Sequence, residues 1–205
     1  MAILNNRDWE IARALNTRVL ERTVYLALDL GQRANHSALI ALERFETLPD
    51  YTDMLRGVGI LRRYVVRQAE RIALGTPYSQ VVAHVKDLIQ QLRAKNISCV
   101  LVVDESGVGV PVVEAMQDLN MGCQIMPIAI TSGQHSTARS VPRVELITKM
   151  QLMAQRGELE IARGCMHGEE LKNELVHLQL SGVGAREQDD LALALALACW
   201  KAKIR

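Results

Sequence analysis

What this chain lacks narrows its class before any motif is read. No uninterrupted apolar stretch reaches the ~18–20 residues a helix needs to span a bilayer. The start, Met1-Ala2-Ile3-Leu4-Asn5-Asn6-Arg7, lacks a secretory pattern. A soluble intracellular protein is expected, with no membrane among its partners. No CxxC pair is present: Cys99, Cys123, Cys165 and Cys199 stand far apart, so neither a zinc knuckle nor a redox motif is suggested and buried free thiols are expected. Charge of one sign is missing too, since 24 Lys+Arg against 23 Asp+Glu leave a formal net charge of +1. Composition therefore does not announce a nucleic-acid binder. Nor is there a GxxxxGKS or GxxxxGKT phosphate loop, which excludes a P-loop ATPase within these 205 residues.

What is present suits one α/β domain. A chain of 205 residues with 49% hydrophobic content can bury one sizeable core with room for a small appendage. Residues 1–22 mix charged and apolar positions (Trp9, Ile11, Ala12, Leu15, Val19, Leu20) at helical spacing, an amphipathic helix or linker segment ahead of a domain spanning 23–205. Strands are expected over Thr23 to Leu30, His36 to Arg44 and Ile60 to Leu74, with a polar break at Pro49 to Asp53. Val81, Val82, Val85, Leu88, Ile89 and Leu92 recur at helical spacing. The continuous run Ser98 to Val103 reads as a strand covered on both faces. A helix from Val112 to Leu119 and a strand from Gln124 to Ile130 follow, then a polar loop from Thr131 to Ser140. Beyond it come a helix from Pro142 to Gln155, a short strand at Glu158 to Ala162 and a helix from His167 to His177. The alternating Leu/Ala stretch in Asp190 to Lys203 has a strand-like period. Alanine and leucine are strong helix formers, however, and acids at a helix start complement its dipole, so a buried helix is expected.

Carboxylates fall where such a fold would gather them. Asp29 interrupts an apolar strand, Asp104 closes another, and Asp189-Asp190 opens the last helix. An unpaired charge inside a strand is expensive unless something requires it, and in open α/β sheets functional groups collect beyond the carboxyl ends of the strands. Clustered hard oxygen ligands suit Mg²⁺ or Mn²⁺, two of which can clamp the attacking and leaving oxygens of a phosphate ester. Each acid also has a structural reading: Asp104 as a turn or cap residue, Asp189 and Asp190 as a helix-start pair. Glu105 is expected at the surface, because neighbouring strand residues face opposite ways. His36, His135 and His167 are candidate bases or DNA contacts, with structural roles as the default. Two arginine-rich segments, Arg56, Arg62, Arg63, Arg67 and Arg71, then Arg139, Arg143, Lys149 and Arg156, read either as phosphate-contacting faces or as solvated surface.

Three motifs in order carry a resemblance: Ala27-Leu28-Asp29-Leu30-Gly31-Gln32, Val102-Val103-Asp104-Glu105-Ser106-Gly107-Val108-Gly109 and Arg186-Glu187-Gln188-Asp189-Asp190-Leu191, supported by Leu74-Gly75-Thr76-Pro77-Tyr78. From about Tyr25 to Trp200 the chain resembles the nuclease domain of phage large terminases. The resemblance implies a ribonuclease H-like mixed β-sheet flanked by helices, and a metal-dependent endonuclease that cuts concatemeric viral DNA during packaging. It implies that Asp29, Asp104 and Asp190 are catalytic and bind two Mg²⁺ or Mn²⁺ ions, with Asp189 an auxiliary ligand. It also implies that the loop from Thr131 to Ser140, with His135, Arg139 and Arg143, touches DNA. The implied partners are double-stranded DNA and a packaging ATPase, small terminase subunit or portal, and the implied setting is the cytoplasm of a bacterial host. Asn35 stands where related sequences often carry an acid, and an amide is a weaker, neutral ligand. Two other readings remain open: an actin-like or sugar-kinase-like phosphotransferase, because Leu28-Asp29-Leu30-Gly31 also resembles a phosphate turn, and a degenerate DNA-binding module.

Overall fold

The structure is a computed structural model that describes residues 19–31, 35–49, 51–107, 109–181 and 189–203. Its centre is a sheet in the order β6-β5-β4-β1-β2-β3-β7. The strands are β1 (Val19–Asp29), β2 (Ser37–Thr47), β3 (Leu61–Ile72), β4 (Ser98–Asp104), β5 (Gln124–Thr131), β6 (Ser140–Pro142) and β7 (Leu159–Ile161). β1 pairs antiparallel with β2 and β2 with β3, while the β1–β4, β4–β5, β5–β6 and β3–β7 pairs are parallel. Strand β2 therefore runs against the other six. This mixed sheet flanked by helices is the ribonuclease H-like architecture expected from the sequence.

Six helices are described: α1 (Tyr51–Leu55), α2 (Tyr78–Ala94), α3 (Gly109–Asp118), α4 (Arg143–Gln155), α5 (Gly168–Ser181) and α6 (Asp190–Lys203). Side-chain alternation along the strands assigns them to two layers. Val24, Leu26 and Leu28 of β1, with Leu101 and Val103 of β4, pack under the buried stripe Val81, Val85, Leu88, Ile89 and Leu92 of α2 and under α3. Tyr25 and Ala27, with Val102, face the other way, onto α4, α5 and α6. Burial on both sides explains why β4 reads as an unbroken apolar run. Helix α6 is buried nearly all round, and its small residues Ala194, Ala196, Ala198 and Ala202 let it lie close across β1 and β2. Each fully buried leucine there contributes roughly 2 kcal/mol from surface removed from water.

The sequence reading needs correction at several boundaries. Val19–Arg22 belong to β1, and the rest of the amphipathic N-terminal segment, residues 1–18, lies outside the described residues, as do Gln32, Val108 and the 182–188 segment. The polar break before β3 contains the single-turn helix α1. The loop after β5 ends in β6, because the Ala129 N–H finds the Arg139 carbonyl at 2.9 Å and starts a parallel ladder that periodicity over three residues cannot signal. Among the described residues no helix is long and apolar enough to cross a membrane.

Candidate active site

Register builds the site. The β1–β4 ladder closes with Leu28 opposite Val103, so the next residues, Asp29 and Asp104, end adjacent parallel strands at the same level. Alternation turns both toward the layer of α4, α5 and α6, the side on which Ala27 and Val102 pack. On that face the row continues outward through β2 and β3: Asp29 pairs with Ala38, and Ala38 with Arg71. Only a methyl group stands between Asp29 and the strand that carries the arginine. Helix α6 starts over this row, with Asp190 in its first turn.

Two glycines hold the carboxylate-bearing turns tight. A Cβ on Gly31 would lie 2.2 Å from the Asn35 carbonyl oxygen, so only glycine lets the chain after Asp29 cross so near the start of β2. That crossing is pinned by the Gly31 N–H donating to Ser37 Oγ at 3.1 Å and by the Tyr78 hydroxyl donating to the Gly31 carbonyl at 3.0 Å. A Cβ on Gly109 would come within 2.4 Å of the Asp104 carbonyl oxygen, so α3 begins against the strand end itself. Asp104 is buried, and its Oδ1 accepts from the Ser106 N–H at 2.9 Å and the Ile130 N–H at 3.4 Å. The turn reading of Asp104 is thus present in the structure, beside its place in the cluster.

Electrostatics shows how closely the acids crowd. Burial first, then the charges of Asp104, Asp190 and Asp189, push the Asp29 carboxyl up to about 8, with Arg143 opposing. Asp190 is raised as well, chiefly by burial, with Arg71 and His36 pulling it down and Asp189 pushing it up. Asp189 occupies the N-cap position, its carbonyl accepting the Leu193 N–H at 2.8 Å, while its carboxylate is ion-paired with Arg143. The structure therefore brings Asp29, Asp104, Asp189 and Asp190 into one electrostatic cluster and adds Arg143 to it. Arg143, expected at a DNA surface, is instead engaged with an acid of the cluster. Among the described residues no three His, Cys, Asp or Glu side chains are placed to hold one metal ion together. The donor chemistry nevertheless fits a hard divalent cation, because four carboxylates share the site and mutual repulsion helps keep a proton on Asp29.

His36 joins the rim. Its Nδ1 lies 3.1 Å from the Ile72 carbonyl oxygen, which can only accept, so Nδ1 donates there. His135 and Arg139 are exposed on the segment that leaves β5 at the same end of the sheet as Asp104. His167 lies elsewhere, near Glu170 at 3.6 Å. Glu105 is partly exposed, and its N–H joins the β4–β5 ladder through Ile128.

One participant escaped the sequence reading. Glu174 of α5 is buried; its Oε2 accepts the Ala192 N–H of α6 at 2.8 Å and its other oxygen pairs with Arg71. It caps, from another helix, one of the N–H groups that a helix start leaves unpaired. Burial pushes Glu174 up to about 7, with the Ala192 hydrogen bond and Arg71 pulling it down. Its signal was available: Leu171, Glu174 and Leu178 share one helical stripe, and an acid on such a stripe needs a partner. Of the first arginine segment, Arg62, Arg67 and Arg71 are paired with Glu46, Glu43 and Glu174 rather than presented free to a ligand.

No family model and no curated protein matches the chain. Among solved structures it is similar to the nuclease domain of the large terminase subunit of bacterial virus Sf6, solved with manganese and beta-thujaplicinol. The identity is 13%, the coverage 97% of this chain and 98% of that one, and the TM-score 0.44. It is similar to Thermus thermophilus RuvC at 14% identity, with 85% and 91% covered and a TM-score of 0.35. A second T. thermophilus RuvC structure, in complex with a Holliday junction substrate, aligns at 12% identity with 87% and 92% covered and a TM-score of 0.38.

Proposed function

We propose that this chain is a divalent-metal-dependent DNA endonuclease, of the kind that cuts concatemeric viral DNA for packaging. The observation that carries the reading is the meeting of Asp29, Asp104 and Asp190 at the carboxyl ends of β1 and β4 and the start of α6, close enough that their charges help raise Asp29 to about 8. Arg143 offsets part of the sum on Asp29, and Arg71 and His36 part of that on Asp190, yet both carboxyls stay raised. Asp29, Asp104 and Asp190 would hold Mg²⁺ or Mn²⁺, two ions being expected, with Asp189 available once Arg143 leaves it. When bound, such ions polarise a phosphate ester and lower the pKa of water.

The chain's own residues supply the rest. Ser106 and Ile130 N–H groups orient Asp104, Glu174 fixes the start of α6 under Asp190, and Arg71 balances Glu174 and Asp190. Arg139 and His135 would contact DNA phosphates from the segment beside Asp104, which positions a duplex without reading its bases. A packaging ATPase would come from a partner.

The test is plasmid cleavage by the purified chain with Mg²⁺, Mn²⁺ or EDTA, beside Asp104→Ala. Metal-dependent cutting that disappears in the variant, with an unchanged far-UV spectrum, is the expected result. A variant that still cuts at the wild-type rate sinks the assignment.

A further inference from the structure

The four cysteines look unrelated in sequence, yet two of them meet. The β4–β5 ladder pairs Val100 with Gln124, so Cys99 and Cys123 sit one step ahead, level with each other on adjacent parallel strands. Alternation puts both on the α2 and α3 face, where both pack against the same cluster as Leu101, Val103 and Ile125. The two thiols lie near enough that each shifts the other's ionisation. Both residues are half-buried, so a small solute can reach them, in contrast with fully buried Cys199. This corner lies on the opposite face and at the opposite end of β4 from Asp104, outside the carboxylate site.

We infer that Cys99 and Cys123 form a reversible redox pair, a dithiol that closes to an intramolecular disulfide when a peroxide reaches it. Neighbouring strands run ~4.8 Å apart, within the Cα spacing of about 4.4–6.8 Å that a disulfide spans. The neighbouring Cys123 thiol lowers Cys99 toward its thiolate, while Cys99 and burial raise Cys123. Arg93 adds positive charge: its guanidinium fills the space that a side chain on Gly122 would occupy, and the absence of that side chain brings it beside the pair. Cys99 is accordingly the nucleophile and Cys123 the resolving thiol.

The chemistry balances with hydrogen peroxide as oxidant. The Cys99 thiolate attacks one peroxide oxygen, the O–O bond breaks, and hydroxide leaves a sulfenic acid on Cys99. The Cys123 sulfur then attacks the Cys99 sulfur, the S–O bond breaks, and the departing oxygen takes the Cys123 proton as water. Two thiols lose two electrons, and one peroxide becomes two waters.

The test uses the whole chain. It is treated with hydrogen peroxide, unfolded in iodoacetamide, and digested with a protease that cuts after Glu105 and Glu114, which lie between the two cysteines. The expected product is a pair of fragments joined through Cys99 and Cys123, two hydrogens lighter than the dithiol and released by dithiothreitol, with Cys165 and Cys199 alkylated. Recovery of Cys99 and Cys123 both alkylated, or oxidised only to sulfinic and sulfonic acids, or joined only between chains, overturns the inference. In Cys123→Ser the Cys99 sulfenic acid has no partner, and dimedone labelling at Cys99 should rise severalfold over wild type. Equal labelling in the two proteins would overturn the assignment of Cys123 as the resolving thiol.

Discussion

The two ends of the central sheet handle buried charge in opposite ways. At the end away from the carboxylates, Glu43 is completely buried on β2 and contacts Arg22 of β1 and Arg67 of β3, the latter at 2.7 Å. Both guanidinium groups also lie over the Phe45 ring, at 5.7 and 5.5 Å from its centroid. Nearby, Arg44 meets Glu21 at 3.1 Å and Arg62 meets Glu46 at 2.8 Å. At the other end four aspartates cluster beside Arg143 and Arg71, and Asp29 is still pushed to about 8 by burial and by its acidic neighbours. Matched charge at one end is what a stable fold requires. The incompletely matched charge at the other is a cost to folding, and the proposed function accounts for it by a bound cation.

The largest effect should come from unbalancing the matched end. Glu43→Ala removes the carboxylate that Arg22 and Arg67 share, and should cost about 3–5 kcal/mol, the range for breaking a buried pair from one side. Denaturant unfolding reads the loss, and cleavage per folded molecule should be unchanged. A loss below ~1 kcal/mol would show that this end is solvent-screened.

The unmatched end should respond with the opposite sign. Asp29 keeps its proton to about pH 8 in the fold, against 3.8 ordinarily, so between those values the unfolded chain has released a proton that the native chain retains. Stability therefore falls as pH rises through that window. Asp29→Asn has no such proton to lose: its melting curve should be flatter in pH, with an advantage on the order of 2 kcal/mol near pH 8. Burial raises Glu174 to about 7 in the same direction, but it is present in both proteins and largely cancels in the difference. Mg²⁺ should flatten the wild-type curve toward that of the variant. Parallel curves with and without the substitution would remove the case for unmatched charge.

Much of this was legible in the sequence because the signals were local. The apolar stripe of α2 and the unbroken run of β4 each announce their elements, and α6 falls at Asp190–Lys203 as expected because propensity outweighs the Leu/Ala alternation. Asp29 and Asp104 could be placed at strand ends for the same reason. What stayed hidden depends on register between distant segments. Arg71 reaches the site face only through the β1–β2 and β2–β3 ladders, and Cys99 meets Cys123 only through β4–β5. The ion pair of Arg143 with Asp189 spans 46 residues, a separation at which spacing carries no information.

A smaller effect is expected inside the site, where the buried acid Glu174 is paired with Arg71. Glu174→Gln keeps a hydrogen-bond acceptor for the Ala192 N–H but removes the charge that Arg71 pairs with. It should cost about 1–3 kcal/mol, as for a hydrogen bond to a charged group. If Glu174 positions α6 under Asp190, the half-saturating metal concentration for cleavage should rise as well. A stability loss with unchanged metal dependence would confine Glu174 to the core.

The smallest expected effect separates the two ends by what they meet in solution. Arg139 is exposed on the segment beside Asp104, whereas Arg62, at the matched end, is already bonded to Glu46. Neither Arg139→Ala nor Arg62→Ala should shift stability by more than about 1 kcal/mol. Duplex binding at several salt concentrations should divide them. If Arg139 touches a phosphate, Arg139→Ala should lower the slope of log affinity against log salt by roughly 1, with little change for Arg62→Ala. Equal slopes for the two variants would mean that the exposed arginine does not touch the backbone, and that the carboxylate end reaches DNA by another surface.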